Sequence, residues 1–296
     1  MTDWASWDFE QGEEIAPGLL ALEPLGGGEV FETYVAWDSR LYTIVVAKLL
    51  RPDKVDHDWA RAAVATESEL LASLAHPFIV RTFGAVPEGP RPHLVLEHLE
   101  GPTLYSVLRD RRKLALEELL PLTLHLCSAL HYLASRGIVH LDLKSRNVIL
   151  GPQPRLIDFS LARTPDRVAR MSVPTGTTAY MSPEQALLDR DRIGPQSDVW
   201  GLGVTLYEAV SGRFPFPEPP GDLGPEAETA ERFPQVSARP TPLDRDVPDE
   251  LADLIMSCFR VEPGERPTPA QMVLALEPLI ARLPRPVPGR RRLLFM

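Results

Sequence analysis

From His140 to Ser160 the chain reads HLDLKSRNVILGPQPRLIDFS. Asp142 is followed by Lys144 and Asn147, and Asp158 comes 16 residues after Asp142. A short hairpin lies between them, with its second strand expected at 155–157. A carboxylate, an ammonium group, a carboxamide and a second carboxylate suit phosphoryl transfer. That chemistry asks a protein mainly for positioning and for neutralisation of phosphate charge. The pattern HxDxxxxN alone is short enough for chance to supply. The Asp-Phe pair at 158–159 makes chance the weaker account.

Two stretches further upstream could serve phosphates as well. In LGGGEVFETYVA, Gly26, Gly27 and Gly28 would let backbone approach a polyphosphate without side-chain interference, although three glycines often make only a hairpin turn. Lys48 ends the apolar run VVAK, where a lysine can be a plain strand-end charge. It falls 22 residues after Gly26 and 19 before Glu67. Glu67 sits in WARAAVATESELLASLA, whose apolar residues recur at helical spacing. A solvated helix charge is the bland account of Glu67. The spacing instead pairs it with Lys48 and rejects Glu69.

The elements needed to position these groups are legible in outline. From Leu19 to Leu50, β-branched and aromatic residues alternate with polar ones and turn signals, the pattern of antiparallel strands. LVLEHLEG, at 94–101, is a strand running into a turn. Thereafter the pattern is helical: TLYSVLRD, then EELLPLTLHLCSALHYLASRG with Gly137 as a natural C′ residue. Residues 160–184 read as a loop, SDVWGLGVTLYEAVSG as a buried helix closed by Gly212, and 214–242 as Pro-rich irregular surface. DELADLIMSCFR and PAQMVLALEPLIARL are the last two amphipathic helices. Strands first and helices later predict an α+β chain with a small β-rich lobe, a larger α-rich lobe and a cleft between them.

Composition excludes several other classes. Hydrophobic residues at 44% and charged residues at 24% are ordinary globular values. A net charge of −10 gives no case for nucleic-acid binding. Residues 1–39 carry nine acidic side chains and no Lys or Arg, whereas 282–292 carry five Arg and no acid. The first sixteen residues are expected to form an acidic, partly disordered leader, and 283–296 a Pro/Arg-rich tail that could lie beside a membrane. Cys127 and Cys258 are too few for a disulfide framework, so buried, reduced thiols and a cytoplasmic location are expected. No signal peptide is visible, and no apolar run approaches the ~18 residues of a spanning helix. The histidines show no metal spacing that would suggest zinc.

In order, the chain thus has LGGG, VVAK, Glu67, HPFIV, LVLEHLEG, HLDLKSRN, DFS, GTTAYMSPE, SDVWGLG and ERPT. This succession resembles the eukaryotic-type (Hanks-type) protein Ser/Thr kinases, bacterial members in particular. The match covers roughly residues 17–282. The resemblance implies the two-lobed protein-kinase fold, with an N-lobe over 17–100 that carries one key helix and a mostly α-helical C-lobe over 101–282. It implies ATP and Mg²⁺ (or Mn²⁺) as cofactors, and protein Ser/Thr hydroxyls as acceptors. Asp142 would be the catalytic aspartate, Lys144 would stabilise the γ-phosphate, and Asn147 with Asp158 would bind the metal. Lys48 would contact the α- and β-phosphates, with Glu67 holding it. Leu25, Gly26, Gly27, Gly28 and Thr33 would line the nucleotide, Leu96 would be the gatekeeper, and Glu97–Leu99 the hinge that receives adenine. Asp198 would brace the catalytic loop, and Glu184 with Arg266 would form a buried structural ion pair.

Several positions depart from the family pattern. Phe31 replaces the third glycine of the loop and Thr33 a valine. Leu141 replaces the arginine of HRD, which in the family pairs with a phosphate on the activation loop. Ser160 replaces the glycine of DFG. A Cβ at Phe31 and at Ser160 is expected to restrict the backbone. These departures favour a second reading, a pseudokinase scaffold. The intact Lys48, Glu67, Asp142, Asn147 and Asp158 favour the enzyme.

Overall fold

The computed structural model describes residues 4–219 and 227–283. The chain divides into two compact units, Met1–Ala75 with Ile79–Leu99 and His76–Phe78 with Glu100–Met296.

The first unit is built on an antiparallel sheet. Its strands are β1 (Glu14–Ala16), β2 (Leu19–Gly27), β3 (Phe31–Asp38), β4 (Thr43–Leu50), β5 (Thr82–Val86) and β6 (His93–Glu97), in the order β1-β2-β3-β4-β6-β5. β3 and β4 pair without a register slip from Phe31↔Leu50 to Asp38↔Thr43, which sets Thr33 opposite Lys48. β2 is irregular between Ala21 and Glu23 and between Pro24 and Gly26; proline has no N–H to give to the ladder. One face buries Ile15, Leu19, Ala21, Tyr34, Ala36, Val45, Ala47, Leu49 and Val95 as a single cluster. Helix α1 (Asp58–Ala72) buries Ala60, Val64, Glu67 and Leu71, a stripe at steps of four, three and four. Glu67 is the one charge on that buried stripe, and Lys48 is what it meets there.

Residues 4–16 correct the expected leader. They end in strand β1, and Trp7 and Phe9 pack on the sheet's core cluster. Their acidity concealed an aromatic anchor. Strand β5 also went unpredicted, since TFGAV has neither clear alternation nor a run of β-branched residues. The expected Pro/Arg-rich tail lies outside the described residues except for Leu283.

The second unit contains helices α2 (Leu104–Arg111), α3 (Leu116–Ser135), α4 (Pro165–Val168), α5 (Pro183–Ala186), α6 (Pro195–Ser211), α7 (Thr229–Arg232), α8 (Asp249–Ser257) and α9 (Pro269–Ala281). It also holds a two-stranded hairpin, β7 (Val148–Ile149) with β8 (Arg155–Leu156). Every residue of α6 from Ser197 to Ser211 is buried, as its apolar character all round requires. At Gly203 a Cβ would stand 2.5 Å from Cβ of Cys258 and 3.1 Å from the Phe259 ring. Glycine there lets the end of α8 reach α6. Trp200 stacks on Phe216 at 5.3 Å and meets Phe259 edge-on. The segment 160–184, expected as a loop, carries α4 and a turn of 3₁₀ helix at Thr178–Tyr180. The α+β class expected from the order of strands and helices is the one observed. No described helix is long and apolar enough to cross a membrane.

Candidate active site

In the first unit, Lys48 Nζ donates to both carboxylate oxygens of Glu67, each at 2.9 Å. Its ammonium also lies 4.8 Å from the centre of the Phe31 ring. Both partners are buried; a charged pair out of water persists only with good geometry and further polar contacts. A phosphate oxygen beside Lys48 would be such a contact.

The glycine stretch closes a tight hairpin. Gly26 and Gly27 form the end of β2, and Gly28 N donates to Phe31 O at 2.9 Å. A Cβ at Gly27 would fall 2.2 Å from Phe31 O, so only glycine fits where the strands meet. Thr33 Oγ1 donates to Gly26 O at 3.0 Å, and Leu25 is exposed beside it. Phe31 begins β3 with an extended backbone, and neither it nor Ser160 has the positive φ at which a Cβ would cost strain. The expected backbone restriction is therefore absent from this conformation.

The hinge candidates lie at the end of β6. Leu96 is buried, and the Glu97 carboxylate is taken up by Arg81 through its backbone N, Nε and Nη2 at 2.9–3.0 Å. The Glu97 backbone N in turn donates to Arg81 O at 3.0 Å, and Leu99 lies two residues further on. Arg81 carries no signal in the sequence pattern.

In the second unit, four donors converge on Asp142. Thr177 supplies its N at 3.0 Å and its Oγ1 at 2.7 Å to Oδ1, while Lys144 Nζ at 2.7 Å and Asn147 Nδ2 at 3.1 Å meet Oδ2. Lys144 Nζ also reaches Thr177 Oγ1 at 2.6 Å. Thr177, in GTTAYMSPE, resembles the Ser/Thr group by its place before SPE, but nothing in the sequence pattern shows its bonds to Asp142, 35 positions away. The β7–β8 hairpin brings the two candidate metal ligands together. Asn147 directly precedes β7, Asp158 follows β8, and Ile157 N donates to Asn147 O at 2.9 Å.

Two non-glycine residues here hold left-handed backbone, Leu141 at φ 66° and Asp158 at φ 63°. Such strain, of order 1–3 kcal/mol, persists only where the surroundings fix it. At Leu141 the fixing group is Asp198, whose carboxylate accepts from His140 N at 2.7 Å and Leu141 N at 2.8 Å. Burial pushes Asp198 up to about 7, and the two amide donors pull against it. Burial likewise holds the His140 imidazole below its usual range, hence neutral at pH 7, with its ring edge-on to Phe159.

The donors offered to a metal suit a hard divalent cation. Asn147 spends its Nδ2 on Asp142 and so keeps Oδ1 as an oxygen donor, and Asp158 adds a carboxylate. No group of three or more His, Cys, Asp or Glu among the described residues could hold a metal by itself.

Glu184 and Arg266 form a two-pronged ion pair at 2.7 and 2.8 Å, fully buried, with Ser197 Oγ donating to Glu184 at 2.7 Å. Burial opposes the Glu184 charge, yet the guanidinium and the Ser197 hydroxyl hold its carboxyl below the usual range.

Comparison with known proteins gives this geometry its family. The sequence model of the protein kinase domain matches residues 20–276. The serine/threonine-protein kinase pkn2 of Myxococcus xanthus is 33% identical over 280 residues, covering 86% of this chain and 32% of that protein. The serine/threonine-protein kinase PknB of Mycolicibacterium smegmatis is 30% identical over 257 residues, covering 82% of this chain and 40% of that protein. The chain thus spans about a third to two-fifths of the length of these relatives.

Proposed function

The chain belongs to the protein kinase domain family, and on that premise we propose that it transfers the γ-phosphate of ATP to Ser or Thr hydroxyls of proteins. The observation that carries this reading is the Asp142 carboxylate, fixed by donors from Lys144, Asn147 and Thr177. Held so, it can orient an acceptor hydroxyl and take up its proton as the oxygen attacks phosphorus. Lys144 lies beside it as a cation for the transferring phosphoryl group. In the other unit, Lys48 serves the α- and β-phosphates and Glu67 fixes its position. Gly26, Gly27 and Gly28 offer backbone beside the phosphates, with Leu25 and Thr33 flanking them. The backbone of Glu97–Leu99 receives adenine.

Asn147 and Asp158 are the residues to hold Mg²⁺ or Mn²⁺, and a bound ion would neutralise phosphate charge. Mg²⁺ is the ion we favour, since the ligands are few and all oxygen. Neither Phe31, Leu141 nor Ser160 removes a group that handles phosphate, metal or proton. The location proposed is cytoplasmic, in keeping with two buried thiols.

The test is transfer of labelled phosphate from Mg-ATP to the protein and to a generic basic acceptor, with Asp142→Asn alongside. Asp142→Asn should abolish transfer and keep the ligand-induced stabilisation, ~2.7 kcal/mol at a hundred times Kd. Undiminished turnover in that variant would defeat the assignment.

A further inference from the structure

The hairpin that carries the glycines is exposed from Glu23 to Glu29, so its shape rests on few contacts. Two of them come from one residue. Arg51, just past β4 and almost fully buried, donates its backbone N to Val30 O at 3.0 Å and its Nε to Gly28 O at 2.6 Å. The same guanidinium gives Nη1 to Ala5 O at 2.8 Å and to Glu32 Oε2 at 3.2 Å, and lies 5.4 Å from the Trp4 ring.

Glu32, also buried, closes the network from the other side. It accepts from Ser6 Oγ at 2.8 Å and Trp7 N at 3.0 Å. Trp7 Nε1 is tied in turn to Leu50 O at 2.8 Å. Residues 4–7 therefore satisfy both members of a buried ion pair whose free donor is spent on the glycine turn. Removing that support would leave buried charge half-paired, a costly state that the pair can relieve only by moving. The turn would move with it. Arg is suited to this place because its planar fork holds several acceptors in fixed directions, as a lysine ammonium does not.

We propose that Arg51 is a positioning residue for the glycine turn, and that the N-terminal segment Trp4–Trp7 belongs to the same device, setting nucleotide affinity from outside the phosphate site. This rests on the kinase reading above. Arg91 supplies the control. It anchors strand β1 through Glu14 O at 2.7 Å and Ile15 O at 3.0 Å and lies against the rings of Trp7 and Phe9, while Trp7 keeps its bonds to Glu32 and Leu50 without it. It makes no bond to the turn.

The experiment compares Arg51→Lys and Arg91→Lys in the full chain. Both should lower the melting temperature. Only Arg51→Lys should raise KM for ATP, about tenfold, with kcat and acceptor KM held within about twofold. In nucleotide-free protein, amide exchange over 26–31 should quicken in Arg51→Lys alone. An unchanged exchange rate there, or an equal rise in KM with Arg91→Lys, would overturn the positioning role. Absence of phosphate transfer by the wild type would instead defeat the kinase reading, and the exchange measurement would still decide the fate of the turn.

Discussion

Thr177 donates its hydroxyl proton to Asp142 Oδ1 at 2.7 Å while its oxygen sits 2.6 Å from Lys144 Nζ. One hydroxyl thus bridges the second oxygen of Asp142 to the ammonium that already pairs with Oδ2 at 2.7 Å, and it belongs to the segment that precedes α5. The state of that segment is coupled through it to the orientation of Asp142.

Thr177→Val keeps the shape and removes both bonds, so Asp142 Oδ1 loses a donor that fixes its orientation and Lys144 loses an acceptor. Steady-state transfer to an external acceptor is expected to fall by tenfold or more, ~1.4 kcal/mol of barrier, with KM for ATP little changed. Thr177→Ser should restore most of the loss. Equal turnover in valine and threonine forms would remove Thr177 from the site.

Acid should weaken the buried pair of Glu184 and Arg266. The folded pKa of Glu184 is depressed relative to an ordinary 4.5. The pair therefore contributes its full stability above that value and loses it as pH falls through the folded pKa. Glu184→Gln leaves Arg266 charged and buried, a loss of ~3–5 kcal/mol at neutral pH. Denaturant titrations of both proteins from pH 7 to pH 3 should show the gap narrowing below about pH 4.5 as the wild-type carboxylate protonates. A gap that widens in acid would contradict the assigned pairing.

The groups legible in the sequence were those held by local pattern. Lys48 closes the apolar run VVAK within β4, Glu67 lies on a helical stripe, and Asn147 and Asp158 bracket a short hairpin. Arg51 was not legible, and Thr177 was legible only as a mark of the Ser/Thr group, because the bonds that give them their roles span 23 and 35 positions respectively. The same reason hid the N-terminal segment. Acidic composition suggested solvent, while Trp7 and Phe9 decided for the sheet by burying rings, which outweighs a few solvated charges on the segment's other side.

The thiols offer a third check. Burial pushes the Cys127 thiol up to about 12, and burial with Cys127 nearby raises Cys258 as well. Neither should react with iodoacetamide in the folded protein at pH 8, and both should react once it is unfolded. The unfolded chain releases these protons near an ordinary 9.0. Stability present below that pH is therefore lost as pH rises toward the folded values. Modification of either residue at the rate of a free thiol in native protein would show that the packing of α3 and α8 opens.

Leu141 supplies the last prediction. In the position where the family's arginine pairs with a loop phosphate, Leu141 is buried in one apolar cluster with Val139, Val168, Met171 and Ile193, and Leu188 packs on it. Val168 belongs to α4 and Met171 follows it, both within the segment that a phosphate would otherwise order. Burial of such side chains stabilises by about 1.5–3 kcal/mol each relative to exposure, and it does so without any modification of the chain. Thr164, which precedes α4, makes no capping bond through its side chain, so its replacement costs the helix little. Turnover of phosphatase-treated protein, and of the variant Thr164→Ala/Ser172→Ala/Thr175→Ala, should therefore stay within tenfold of the untreated enzyme on an external acceptor. Leu141→Ala, which opens a cavity worth ~2–5 kcal/mol, should lower turnover whether or not the loop carries phosphate. If phosphatase and the triple variant each cost tenfold or more while Leu141→Ala costs nothing, the segment is ordered by phosphate and the apolar cluster is incidental to its control.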